Sequence, residues 1–174
     1  MAEDESTGVD VSGARPARVS GGRHRAREVA LQVLFAIDLG ADDGPTTDDE
    51  REESIGRLDP VARSTVIFDR VADHFVVPES GIEFARELVS AVVGQLAGID
   101  ELLGVHAKNW RVSRMAVVDR NVLRIAVYEL RDTTTPVAVV IDEAVDLARR
   151  FGSDSSPSFV NGVLDAVARE VRAA

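Results

Sequence analysis

A chain of 174 residues in which 45% of the side chains are apolar can bury one sizeable hydrophobic core and not two. It contains no cysteine, which excludes a disulfide framework and a thiolate zinc site. Its net charge of −10 makes an acidic surface that repels polyanions except where cations gather locally.

Residues 1–22 are polar, rich in small side chains and without apolar periodicity, so they cannot offset the entropy of ordering and are expected to form a disordered arm. The arm opens on acids, Glu3, Asp4 and Glu5, where a secretory signal needs a basic region and an apolar stretch. It turns basic toward its end. Gly21-Gly22-Arg23-His24-Arg25-Ala26-Arg27 then concentrates positive charge at a helix entrance. Lys108 is the only lysine among the 20 cations, and the arginine fork suits phosphates and base edges. A helix start already favours anions through its dipole and unpaired N–H groups, so cations there cost a few tenths of a kcal/mol, roughly, and imply a gain elsewhere. The two readings are a solvated basic tail and a phosphate site.

The single domain is expected over 23–174. Ala26, Val29, Ala30, Val33, Leu34 and Ile37 recur at helical spacing, and Asp38-Leu39-Gly40 ends that helix. Residues 41–59 carry eight acids against two arginines and read as a solvated acidic loop. Asp59-Pro60 reads as an N-cap with proline at the first helical position, opening a helix through Ile67, Phe68, Val71 and Phe75 that Pro78 closes. Ser80-Gly81-Ile82-Glu83 fits a capping box, after which apolar residues from Ile82 to Leu103 sustain one long stripe. Gly94 and Gly98 within it mark close helix contacts or weak points.

Residues 119–130 are apolar over a broad face, which predicts a central helix. Thr135-Pro136 opens another, stopped by Gly152, with Asp146 and Arg150 expected to pair on its outer face. Ser156-Pro157 opens the last, with Val160, Val163, Leu164, Val167 and Val171 inward. Asn161-Gly162, a hairpin signal elsewhere, sits inside this helical period, and no alternating strand pattern is present. The fold class is all-α, a compact bundle of about six or seven helices. The most apolar window, 91–99, is interrupted by Gln95 and too short to span a bilayer, so a cytoplasmic protein with no membrane partner is expected.

Arg27, Leu31 and Phe35, spaced by four, form a second stripe beside the buried one. Phe35 is either core or an aromatic near the arginines, the pairing that single-stranded RNA requires. Phe159 stands beside the inward stripe of the last helix, near the hydroxyls of Ser153, Ser155 and Ser158, and poses the same choice. His24, His74 and His106 lie in separate contexts without metal-ligand spacing, and no phosphate-cradling glycine loop or serine nucleophile elbow is present. Asp142, Glu143 and Asp146 read as a solvated acidic face. No catalysis, metal or cofactor is expected.

Four stretches in order are similar to the NusB family of bacterial transcription antitermination factors: 23–35, 118–130, 141–148 and 159–165, the last reading Phe159-Val160-Asn161-Gly162-Val163-Leu164-Asp165. The resemblance covers roughly residues 23–170. It implies a non-enzymatic helical protein that binds the boxA element of ribosomal RNA transcripts, single-stranded, together with NusE, a small ribosomal subunit protein, in an RNA polymerase antitermination complex.

Carried onto this chain, the resemblance assigns phosphate contact to Arg23, His24, Arg25 and Arg27 and base stacking to Phe35 and Phe159. Ser155 falls in the RNA-binding set, although relatives can carry an acid there and a lysine at the position of Ser158. Asp119 and its helix are assigned to the NusE-facing surface. A homodimer that hides the basic patch stays open. Two other readings stand beside this one: a NusB-like domain of an RNA cytosine methyltransferase, disfavoured by a chain that stops at Ala174, and a protein-binding helical module with an incidental basic arm.

Overall fold

The computed structural model describes residues 21–40, 58–107 and 110–172. Nearly all of the expected arm, most of the acidic loop and Lys108 lie outside the described residues. Among these residues there is no strand, and seven α-helices form the fold: α1 (Gly22–Asp38), α2 (Pro60–Ala72), α3 (Glu79–Gly94), α4 (Leu96–His106), α5 (Val117–Asp132), α6 (Val137–Phe151) and α7 (Ser156–Val171). A 3-10 turn, Val112–Arg114, precedes α5.

The sequence pattern fixes most of these boundaries. Asp59 caps α2 through its side chain, accepting from the N–H groups of Val61 and Ala62 at 3.0 Å each, and Pro60 fills the first position, where no donor is needed. Gly40 follows α1 with φ 70°, a left-handed conformation that glycine adopts without strain. Gly152 ends α6 for a different reason. Its φ is ordinary, but a Cβ there would lie 2.5 Å from Ser156 Oγ and 2.7 Å from the Ala148 carbonyl, so the tight α6–α7 turn leaves no room for a side chain.

Four expectations need correction. α1 begins at Gly22, a full turn before the apolar period, so the arginines lie inside the helix and residue 22, assigned to the arm, is helical. α2 ends at Ala72, leaving Phe75 beyond it and exposed, and Pro78 opens α3 instead of closing α2. There is no capping box at Ser80: α3 starts at Glu79, where the Pro78 carbonyl accepts from Gly81 and Ile82 and the Glu79 carboxylate favours the dipole. The long stripe of 82–103 is two helices bent by 76° at Gln95, because apolar spacing continues through the break while Gly94 weakens the helix there. No single helix among the described residues is long and apolar enough to cross a membrane.

α5 is the central helix. Seven consecutive residues, Asn121 to Val127, are buried, which requires neighbours on every side, and α1, α3, α4, α6 and α7 all pack on it. Two ion-pair systems fasten α1 to α5. At one end Arg27 pairs with Glu129. At the other, Asp38 accepts from Arg120 at 2.8 Å, from Asn121 at 3.1 Å and from Arg124 at 3.1 Å, and Arg124 also grips Asp100 of α4 at 2.7 and 2.8 Å. An acid at a helix C-terminus is unfavourable alone, and these donors offset it. The start of α1 also seats against α3: a Cβ on Gly81 would lie 3.1 Å from the Gly22 carbonyl, a close approach that glycine permits.

Candidate nucleic-acid interface

The first turn of α1 has an extended Gly21 as N-cap, no side-chain cap and no acid, so its N–H groups and dipole present an uncompensated positive end. Arg23 is exposed and its guanidinium lies over the Phe84 ring of α3, 5.2 Å from the centroid. That stacking orients a cation without neutralising it. Among the described residues Arg23 has no carboxylate partner. Arg25 is half-exposed and pairs with Glu28 at 2.9 Å. His24 sits between two acids, its Nδ1 2.8 Å from Glu143 and its Nε2 3.3 Å from Glu28.

Arg27 departs from the expectation of phosphate contact. It is 3% exposed, and it donates from Nε and Nη2 to the two oxygens of Glu129 at 2.8 and 2.7 Å, with Glu143 3.4 Å from its Nη1. Burial alone would lower its pKa, but the hydrogen bond and the charges of Glu129 and Glu143 outweigh this and raise it above the usual arginine value. The supposed second stripe is therefore inward for most of its length. Leu31 is buried with Arg27, and only Phe35 comes out to half-burial.

The acids that balance this cluster were not assigned from sequence. Glu143 belongs to the face expected to be solvated, yet it turns inward to His24 and Arg27. Arg150 does not pair with Asp146: its guanidinium bonds Glu28 of α1 and stacks on Phe151, while Asp146 takes Arg149 at 2.5 Å. Arg25, Arg27, Arg150 and His24 thus bond three carboxylates, Glu28, Glu129 and Glu143, and Arg23 stands outside these pairs on the exposed rim. A cleft of about 320 Å³ opens beside it, lined by Gly21, Arg23, His24, Thr135 and Glu143.

α7 supplies the second group. Ser155 is exposed at the N-cap, and its carbonyl accepts from Phe159 N at 3.1 Å, so the two residues stand one turn apart on one face. Ser156, not Ser155, holds the turn: it is buried and its Oγ accepts from Ser153 N at 2.9 Å. Phe159 is half-buried and packs edge to face with Trp110, at 5.8 Å and 61°. The structure brings Arg23, His24 and Arg25 together on one turn of α1, and Arg150 links that turn to the end of α6 from which α7 departs. Phe35 stands apart, about 18 Å along the α1 axis from Arg23 at 1.5 Å per residue.

Asp119 does not lie on an open surface. It is 8% exposed in the first turn of α5, and its Oδ1 is buried with no hydrogen-bond partner among the described residues. The histidines stay apart, with His106 paired to Glu170 at 2.8 Å, and no group of acids and histidines among the described residues could hold a metal. Trp110 escaped the sequence reading because it sits in an irregular connection that has no period to interpret.

Comparison with known proteins agrees with this architecture. A family model described as the NusB family matches residues 24–169. The transcription antitermination protein NusB of Anaeromyxobacter dehalogenans is 42% identical over 146 residues, covering 84% of this chain and 89% of its own length. That of Solibacter usitatus is 43% identical over 149 residues, covering 86% and 90%. Among solved structures, T. maritima NusB superposes with a TM-score of 0.69 at 32% identity, over 85% of this chain and 91% of that one. A chain from the complex of the antitermination factors NusB and NusE with dsRNA gives 0.66 at 26% identity, over 86% and 97%. With a family model matched over most of its length and relatives 42% and 43% identical, the chain belongs to the NusB family.

Proposed function

We propose that this protein is an RNA-binding transcription antitermination factor, not an enzyme, which takes the single-stranded boxA element of ribosomal RNA transcripts together with NusE in an RNA polymerase antitermination complex. The observation that carries this reading is the start of α1, which has no acid in its first turn, with Arg23 in no ion pair among the described residues and Arg25 half-exposed, in a protein whose net charge is −10. Phosphates dock there, with His24 at the edge of the cleft. Phe35 and Phe159, half-buried and so open on one side, stack bases, and the Ser155 hydroxyl lies one turn from Phe159 to meet the strand. NusE docks around the start of α5, the helix that carries Asp119 in its first turn. The similar chain crystallised with NusE and dsRNA supports the coarser reading, an RNA-binding protein with a protein partner.

The test is a titration of the protein into a boxA-containing RNA and a scrambled RNA, with and without NusE, at two salt concentrations. Preference for boxA that strengthens with NusE is expected. Equal, weak binding to both RNAs would reduce the protein to a helical module with a basic rim.

A further inference from the structure

Trp110 is the most exposed aromatic side chain among the described residues, at 56%, whereas Phe68 is fully buried and Phe84 is covered by Arg23 and Arg27. A bare indole costs free energy in water, because it is among the largest apolar surfaces a side chain offers. Its backbone is held by hydrogen bonds. Trp110 N donates to the Ala107 carbonyl at 3.0 Å, Arg114 N to Arg111 O at 2.8 Å, and the buried Ala107 and Met115 anchor the two ends of the connection. The edge-to-face contact with Phe159, with ring planes at 61°, fixes the indole and leaves ring surface open. Arg111 follows Trp110 directly and Arg114 lies four residues on, both exposed and both without a carboxylate partner among the described residues.

An open ring, two exposed arginines within four residues of it and contact with a proposed stacking residue make up the equipment of a single-strand binding surface: the ring takes a base of any identity and the cations take the adjoining phosphates. We propose that Trp110 is a further base-stacking platform for single-stranded RNA, continuing the surface of Phe159 across the connection before α5, with Arg111 and Arg114 as its phosphate contacts. This rests on the RNA-binding reading above and extends the bound strand past α7. A protein partner would gain the same apolar area from Trp110, but two exposed arginines close to it in the chain, with no ion-pair partner among the described residues, favour a polyanion.

Trp110 is the only tryptophan in the chain, so its emission reports this site alone. The experiment titrates a boxA-containing single strand, end-labelled, into the full chain while following RNA anisotropy and tryptophan emission together. The expected result is a saturable change in emission with the midpoint of the anisotropy curve, roughly 5- to 150-fold weaker binding for Trp110→Ala, and most of the affinity kept by Trp110→Phe. Circular dichroism of both variants separates loss of a platform from loss of fold. RNA that binds with unchanged emission and equal affinity for Trp110→Ala overturns the platform and leaves the RNA reading standing. Absence of any anisotropy change overturns both. Emission that responds to NusE and not to RNA overturns the platform in favour of a protein contact.

Discussion

Arg27 and Glu129 lie 102 residues apart in sequence and share two hydrogen bonds at 2.7 and 2.8 Å, with exposures of 3% and 1%. The arginine nearest the apolar stripe of α1 is a strut between helices. Removing it strands a buried carboxylate, so Arg27→Ala is expected to cost about 3–5 kcal/mol of stability, read from the urea unfolding midpoint. The double replacement Arg27→Met with Glu129→Leu is expected to recover most of that loss, because the fully buried carboxylate goes with its partner and Glu143 keeps its contact with His24. Recovery of nothing would show that the pair's hydrogen bonds, and not its isolated charge, hold the helices.

Arg23 and Arg25 are expected to behave in the opposite way. Arg23→Ala gives up only a cation–π contact of about 0.5–1 kcal/mol, so the fold survives. RNA affinity falls, and the slope of log affinity against log salt flattens by about 0.7 for each phosphate contact removed. Measuring that slope for Arg23→Ala, Arg25→Ala and both together checks the assignment. An unchanged slope sinks it.

Phe35→Ala and Phe159→Ala are each expected to weaken RNA binding by about 1–3 kcal/mol. Their loss of stability is expected to stay below the roughly 3–5 kcal/mol of truncating a fully buried phenylalanine, because both rings are only half-buried. Phe68→Ala, at 0% exposure, serves as the control for a core ring. Thermal melts beside RNA titrations separate the two outcomes. A stability loss as large as that of Phe68→Ala with unchanged RNA affinity returns either ring to the core.

Tyr128 is the only tyrosine, which makes its ionisation measurable by absorbance. Burial first, and then the charges of Asp132, Glu87 and Glu129, push its phenol above the ordinary 10.0. The neutral form is thus favoured in the folded state. Its contribution to stability is complete below the unfolded value and is lost as pH rises through the folded one. A tyrosinate titration of the folded protein is expected to have its midpoint above that of the chain in urea. Coincident midpoints would contradict the packing of α5 described above.

Where a local rule governs, residues and structure agree: Asp59 and Pro60 open α2, the broad apolar face of α5 places it centrally, and the inward stripe of α7 is as spaced. Where partners are remote, the sequence is silent. Glu143 meets His24 across 119 residues and Arg150 meets Glu28 across 122, and neither pairing leaves a periodic trace, so an acidic face read as solvated and a helix pair read as Asp146 with Arg150 both gave way. Gln95 was missed because the apolar spacing on its two sides is continuous even though the helix axis turns. Arg27 illustrates a signal present but outweighed: four residues before the buried Leu31, its position pointed inward while its charge pointed outward.

The paired fastenings of α1 on α5 run in opposite chain directions, Arg27 to Glu129 near one end and Asp38 to Arg120 and Arg124 near the other, so the two helices are antiparallel and held at both ends. Sliding α1 by a single residue would shift it 1.5 Å and turn it by about 100°, breaking both fastenings at once. The spacing and facing of Arg23 and Phe35 are therefore those of a fixed gauge. A strand that engages both residues must conform to that gauge, and the conformational cost of recognition falls on the nucleic acid while the protein meets it already set.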